Sequence, residues 1–160
     1  MSVSKRGLDL IKGFEGFKDD AYKCSAGKWT VGYGTTSYPC GTPVSRGDSC
    51  SLDQANTWLL DYIQKDHQEI LKFCIKHRIK LQYQEMDALL SFSYNLGVDR
   101  VVNEKSSMSR ALMSRNRESI AEAFLLYNKC TVGVWPNRRK IVMKGLDRRR
   151  RAEYKLFTSI

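Results

Sequence analysis

The apolar residues between positions 5 and 14 are spaced to share one face of a helix, as Leu8, Leu10, Ile11 and Phe14. Such a helix would place the carboxyl group of Glu15 at or just past its C-terminal end. Gly16 follows at once, and a glycine there releases the chain into another direction. We therefore expect Glu15 to lie where a helix meets a turn.

A short strand is predicted next, because residues 28 to 33 (KWTVGY) are aromatic or β-branched and lie between two glycines. Tyr22 and Lys23 are spaced to pair with this strand, with residues 24 to 27 as the turn. Residues 35 to 49 are rich in Gly, Pro and Ser, which predicts a loop. The small sheet should end near residue 50.

Helical patterns dominate the rest of the chain. Ser51 and Gln54 have capping-box spacing and begin a long helix to about Phe73, which is able to join two lobes. Further helices are predicted at Tyr83–Leu96 with Gly97 after it, at 107–114, at 117–128 with Asn116 as the N-cap, and at 137–143 and 146–157 with Gly145 between them. The expected fold is α+β, a single domain with a small β lobe (about 1–58) and a larger all-helical lobe (about 59–160).

Length, composition and net charge limit the classes of protein to which the chain can belong. At 160 residues with 42% hydrophobic residues, the chain can bury a core, and it contains no apolar stretch suited to a membrane span or a signal peptide. The net charge of +10 favours polyanionic partners, namely nucleic acid, an anionic membrane surface or a cell-wall polymer.

The cysteines and histidines give little sign of a metal site. The two histidines and five cysteines include no Cys-x-x-Cys pair, so we expect no metal. Cys40 and Cys50 flank a loop and could form a disulfide, although reduced thiols are favoured in a chain without an export signal. The odd cysteine count leaves at least one thiol free in a monomer, which is the expected state.

Three residues at fixed intervals indicate chemistry: Glu15, then Cys24 after eight residues, then Thr30 after five. Cleavage of a glycosidic bond needs a proton donor for the leaving oxygen and a second group that directs water or stabilises positive charge. Glu15 is the best candidate donor, because the apolar residues expected around it favour a protonated carboxyl group. Asp19 and Asp20 are rival second carboxylates, although a solvated turn explains them as well.

This segment resembles the active-site region of the phage-type lysozymes, glycoside hydrolase family 24. The family motif is Glu, eight residues, Asp or Cys, five residues, Thr and a Gly-x-Gly turn, which here is Gly32 and Gly34. Residues 92–97 (FSYNLG), 123–129 (AFLLYNK) and 145–157 (GLDRRRRAEYKLF) resemble later family segments in the right order. Two departures are Cys24 in place of the more familiar Asp, and Thr35 where most relatives have His.

The resemblance implies hydrolysis of the β-1,4 bond between N-acetylmuramic acid and N-acetylglucosamine in peptidoglycan, with Glu15 as general acid and no cofactor. It also implies a role in host-cell lysis and a holin that gives access from the host cytoplasm to the periplasm and wall. Thr30 is expected to position the attacking water.

Three further residues are candidates for substrate contact. Trp29 either packs between the lobes or stacks on a sugar, Gly32 belongs to the turn, and Asn95 either binds substrate or caps a helix.

The basic C-terminal quarter has two interpretations. Arg148–Arg151 form either a solvated helix face paired with Asp147 and Glu153, or a surface for anionic envelope polymers.

Three other functions stay open at this point. A lytic transglycosylase needs only one carboxyl group, and a non-catalytic wall-binding module would tolerate Cys24. A nucleic-acid-binding protein is suggested by charge alone, and with no recognisable binding motif we expect no nucleic acid partner.

Overall fold

The computed structural model describes residues 3–24, 26–133, 136 and 138–159. Seven helices and four strands follow one another along the described chain: α1 (Lys5–Glu15), β1 (Lys18–Lys23), β2 (Trp29–Gly32), α2 (Leu52–Lys76), α3 (Tyr83–Leu96), α4 (Asp99–Val102), α5 (Ser107–Ser114), α6 (Arg117–Leu125), β3 (Lys129–Val132), β4 (Arg139–Val142) and α7 (Lys144–Phe157). The α+β class is confirmed.

Helix α1 is fixed at both ends. The Ser4 hydroxyl caps its N-terminus by accepting from the Gly7 amide, and Gly16 ends it with a φ of 68°, a conformation that favours glycine. The Ser4 amide also donates to Asp87 Oδ1 of α3 at 3.0 Å. The predicted position of Glu15 at the end of this helix is confirmed, and the contact with α3 anchors the opposite, N-terminal end.

The hairpin β1–β2 forms as predicted. Tyr22 pairs with Thr30 and Lys23 with Trp29 in an antiparallel register that becomes irregular towards Lys18. The Cys24 amide donates to the Lys28 carbonyl at 2.9 Å, and the Gly27 amide to the Cys24 carbonyl at 2.8 Å, which closes the turn. The hairpin therefore places Cys24 and Thr30 side by side at one end of the sheet.

Helix α2 is the long helix that the capping box predicted. The Ser51 hydroxyl accepts from the Gln54 amide and the Gln54 side chain accepts from the Ser51 amide, and the helix continues to Lys76, three residues beyond the predicted end. Its buried face, which includes Ala55, Leu59, Ile63 and Ile70, contacts strand β2 and helices α3 and α4. It thus connects the hairpin to the helical part of the chain.

The C-terminal part departs from the all-helical expectation. The predicted helix at 137–143 is wrong over its described residues, because Arg139–Val142 form strand β4, antiparallel to β3 with Cys130 opposite Ile141; residue 137 lies outside the described residues. All four residues of β4 are exposed, so they supply no buried stripe that would hold a helix against the core. Gly145 lies inside α7, which starts two residues earlier than predicted.

Disulfides, metal sites and membrane-spanning helices are absent from the described residues. Cys24, Cys40, Cys50, Cys74 and Cys130 are all free thiols, so Cys40 and Cys50 are not bridged. No described group of His, Cys, Asp and Glu side chains is arranged to hold a metal ion. Among the helices described, none combines the length and the apolar character needed to cross a bilayer.

Candidate active site

Glu15 lies partly exposed beside a buried arginine from the far end of the chain. Its Oε1 accepts from Arg149 Nη1 at 2.5 Å, and 20% of its side chain is accessible. Its Oε2 lies on the side of Gly34, 3.3 Å from the position that a Cβ atom on that glycine would take. One carboxylate oxygen is thus occupied by a cation, and the other faces the loop after β2.

Arg149 is held by three acceptors at once. Besides Glu15, its guanidinium donates to the Ser91 carbonyl at 3.0 Å and to Glu153 Oε1 at 3.2 Å, and the residue is 4% exposed. Its guanidinium carbon also lies 5.4 Å from the centre of the Phe14 ring. The sequence pattern predicts apolar groups around Glu15, whereas the structure adds a cation to that apolar setting.

A second buried arginine fixes Asn95. Arg150, which is completely buried, donates from Nη2 to Asn95 Oδ1 and to Glu153 Oε1, each at 3.0 Å. Its guanidinium lies 4.9 Å from the centre of the Phe92 ring. Because the Asn95 oxygen is engaged, its amide N–H groups are left as donors for a ligand in the cleft that Asn95 lines.

The interpretation of Arg148–Arg151 as a solvated face is wrong for its two middle residues. Arg151 is exposed and pairs with Asp147 at 2.7 Å as expected, but Arg149 and Arg150 are buried. A signal was present in the sequence, because the buried residues of α7 have the helical spacing of one face: Arg149, Arg150, Glu153, Leu156 and Phe157. Two arginines and one glutamate on that face indicate an internal ion-pair network.

Cys24 and Thr30 form the second group of the site. Thr30 is buried, and its hydroxyl donates to the Lys28 carbonyl at 3.1 Å. A hydrogen bond from the same hydroxyl lowers the pKa of the Cys24 thiol, and backbone amides of the turn add to this effect. A hydroxyl carries one hydrogen, so it serves either the carbonyl or the thiolate at any moment.

Tyr22 connects the two groups. Partial burial raises the pKa of its phenol, and the negative charges of Cys24 and Glu15 raise it further. The charges of Glu15 and Cys24 thus act on the same phenol.

A cleft of about 580 Å³ opens from Glu15 between the hairpin lobe and the helices. Its lining includes Glu15, Gly34, Thr35, Tyr38, Trp58, Tyr62, Tyr94 and Asn95. Two edge-to-face aromatic pairs form one side of it, Tyr38 with Trp58 at 5.0 Å and Tyr62 with Tyr94 at 5.2 Å between ring centres. The Tyr94 hydroxyl donates to the Tyr33 carbonyl at 2.6 Å and so holds the loop at Gly34 against α3.

The other predicted substrate contacts lie outside this lining. Trp29 is half-buried against the core, with the Lys23 ammonium 5.6 Å from its ring centre. Gly32 is buried on α2, where a Cβ atom would lie 2.9 Å from the Cβ of Ala55. The packing on Ala55 thus accounts for Gly32, and Gly34 is the glycine of the turn that lies beside Glu15.

Comparisons with known proteins agree with this architecture. The family model described as phage lysozyme matches residues 12–153. An endolysin of Acyrthosiphon pisum secondary endosymbiont phage 1 is 31% identical over 159 residues, which cover 99% of this chain and 99% of that protein. The solved structure of the endolysin from Escherichia coli O157:H7 phage FAHEc1 is 35% identical, with 99% of this chain and 94% of that one covered and a TM-score of 0.82.

A crystal structure of a P22 lysozyme mutant is 30% identical, with 99% of both chains covered and a TM-score of 0.76. The match of the family model covers well over half of the chain. The chain therefore belongs to the phage lysozyme family and is an enzyme of the lysozyme class.

Proposed function

We propose that this protein is a muramidase of the endolysin type that hydrolyses the β-1,4 bond between N-acetylmuramic acid and N-acetylglucosamine, with Glu15 as the general acid. The observation that carries the proposal is that the two oxygens of the Glu15 carboxyl group have different surroundings. Arg149 occupies Oε1, while Oε2 is on the side of Gly34, which lines the cleft. Oε2 is thus the atom that would carry the proton to the leaving oxygen.

In the proposed reaction, Cys24 and Thr30 of hairpin β1–β2 act on the anomeric carbon and on the attacking water. As the proton leaves Glu15, positive charge develops at the anomeric carbon, and the Cys24 sulfur, which is more readily ionised beside Thr30, stabilises that charge. The Thr30 oxygen accepts a hydrogen bond from the attacking water, and the Cys24 thiolate takes the proton that this water loses as its oxygen bonds to the anomeric carbon. The charges of Glu15 and Cys24 both act on the Tyr22 phenol, which supports this arrangement.

Substrate contacts follow from the cleft. Asn95 donates its amide N–H groups to the sugar, since its oxygen is engaged by Arg150. Tyr62, 46% exposed in the lining, offers an aromatic face to a sugar ring. Trp29, the neighbour of Thr30, and Gly32, from the turn of the family motif, remain proposed contacts, and the burial of Gly32 makes it the weaker of the two.

Lytic transglycosylation is a second candidate, favoured by one observation. The second group here is a thiol rather than a carboxylate, and transglycosylation needs only the acid. A third candidate is a non-catalytic protein that has the same fold and only binds the cell wall. An experiment must distinguish it from the two enzymes.

Digestion of purified sacculi separates the three. The wild-type chain should release muropeptides with free reducing ends, and Glu15→Gln should lose this activity by at least about a hundredfold while it still folds, as shown by a cooperative unfolding transition. Products lighter by one water would identify a transglycosylase. Binding of sacculi with no release of muropeptides would identify an anchor, and a fully active Glu15→Gln would remove Glu15 from the mechanism.

We further propose that the protein acts as a monomer, without a cofactor, and passes from the host cytoplasm to the wall through a membrane made permeable by a holin. Lysis should then require holin co-expression, and lysis without it would contradict this route. Arg148 and Arg151, the exposed arginines of α7, remain available to anionic envelope polymers. Loss of wall retention in the double variant Arg148→Gln, Arg151→Gln would support that contact, and unchanged retention would refute it.

A further inference from the structure

A second cleft, of about 580 Å³, lies where hairpin β3–β4 meets helices α3 and α5. Four cations line it, Arg100, Lys105, Lys129 and Lys140, together with apolar residues that include Leu126. No Asp or Glu side chain of the described part of the chain lines it. We call these four cations, with Leu126 and Val142, the hairpin surface.

The cations of this surface have no ion-pair partner among residues 3–24, 26–133, 136 and 138–159. Two nearby acids are engaged elsewhere: Glu104 of the adjacent loop pairs with Lys76 at 2.7 Å, and Asp99 at the start of α4 accepts from Asn103. Four unneutralised charges around one concave site attract an anion.

Exposed apolar side chains stand beside these cations. Leu126 is 65% exposed and Val142 53% exposed, and the next residue, Met143, is 41% exposed. Lys129 pairs with Val142 and Thr131 with Lys140 in the hairpin register, which puts Lys129, Lys140 and Val142 on the same face. A hydrophilic polyanion would explain the cations but would leave these apolar groups in water.

We propose that the hairpin surface binds an anionic lipid bilayer at its interface. Phosphate headgroups occupy the cleft between Arg100, Lys105, Lys129 and Lys140, while Leu126 and Val142 enter the boundary between headgroups and acyl chains. This peripheral contact is independent of the muramidase activity, because the hairpin surface shares no residue with the lining of the Glu15 cleft.

Sedimentation with lipid vesicles tests the proposal directly. At about 0.15 M ionic strength, where the Debye length is about 8 Å, the full chain should bind vesicles of phosphatidylcholine mixed with phosphatidylglycerol and not pure phosphatidylcholine. The variant Lys129→Glu, Lys140→Glu should bind at least about tenfold more weakly, because each cation near an anionic surface contributes roughly fivefold. Leu126→Ser, Val142→Ser should also weaken binding, and both residues are exposed enough for the fold to tolerate the change.

A charge-matched control separates this surface from the overall charge of the protein. Arg46→Glu, Lys155→Glu changes the net charge by the same amount at exposed positions outside the hairpin surface. Equal loss of binding in this control would overturn the proposal. So would unchanged binding of the Leu126→Ser, Val142→Ser variant, or equally effective competition by soluble poly(glycerol phosphate), since either result would identify a hydrophilic polyanion as the ligand.

Discussion

Arg149 and Glu15 are 134 residues apart in the sequence, and in the folded protein the arginine donates to the glutamate at 2.5 Å. The same guanidinium donates to Glu153 and to the Ser91 carbonyl. Three acceptors in three directions match a planar fork of donors and do not match a point charge. The orientation of the proposed acid therefore depends on the identity of this residue as arginine, and not only on its charge.

Substitution of Arg149 by lysine should lower kcat by about tenfold to a hundredfold, because one ammonium cannot hold Glu15 while serving both other acceptors. KM should change little, since Arg149 does not line the cleft. Arg151→Lys is the matched control, because Arg151 is exposed and pairs only with Asp147. Steady-state hydrolysis of labelled peptidoglycan measures both constants, and a wild-type kcat in Arg149→Lys would contradict the positioning role.

The two glycines of the turn should respond differently to alanine. Gly34 has a φ of 93° and Gly32 a φ of 65°, so alanine at either position should cost about 1–3 kcal/mol of unfolding free energy. Only Gly34→Ala places a methyl group 3.3 Å from Glu15 Oε2 and should reduce kcat. Urea unfolding combined with activity per folded molecule distinguishes the effects, and equal activity of the two variants would remove Oε2 as the proton-carrying atom.

Cys24 should react with iodoacetamide at a lower pH than an ordinary thiol, because its pKa is lowered chiefly by the Thr30 hydroxyl. Thr30→Val removes that donor, so the pKa should rise and the midpoint of the rate–pH curve should move to higher pH. The pKa of Cys40 is lowered in the same way by Thr42, so its midpoint should not move in Thr30→Val. Peptide mass mapping reads each cysteine separately; a Cys24 midpoint that stays in place would show that the hydroxyl stays on the Lys28 carbonyl.

Replacement of Cys24 tests its electrostatic role. Cys24→Asp should match or exceed the wild-type rate on sacculi, because a carboxylate is ionised at neutral pH and a thiol is only partly so. Cys24→Ser keeps the size but loses the anion, and should be slower by about a hundredfold. Equal rates for wild type and Cys24→Ser would mean that the sulfur has no part in stabilising positive charge.

Local signals in the sequence predicted several of the helices and the first hairpin. The capping box at Ser51, the N-cap at Asn116 and the hairpin pairing of Tyr22 each depend on residues only a few positions apart, and each is confirmed. Hairpin β3–β4 was missed because each strand has only four residues and is almost wholly exposed, so the sequence contains no buried face that would indicate a strand.

Short-range signals of this kind could not predict the ion-pair network of Glu15, Arg149, Arg150 and Glu153. A run of four arginines resembles a solvated surface, and only the partners brought in from α1 and α3 decide which two are buried. The helical spacing of Arg149, Arg150 and Glu153 marks them as one face of α7. It does not reveal that Glu15 and Asn95 are the residues that this face meets.

The ion pair between Glu15 and Arg149 also has a consequence for the synthesis of the protein. A ribosome makes Glu15 before Arg149, so the guanidinium that orients the proposed acid is still absent when the whole Glu15–Cys24–Thr30 motif has been made. A fragment cut before α7 carries that motif without the orientation. Synthesis of α7 thus has to precede catalysis by an oriented acid.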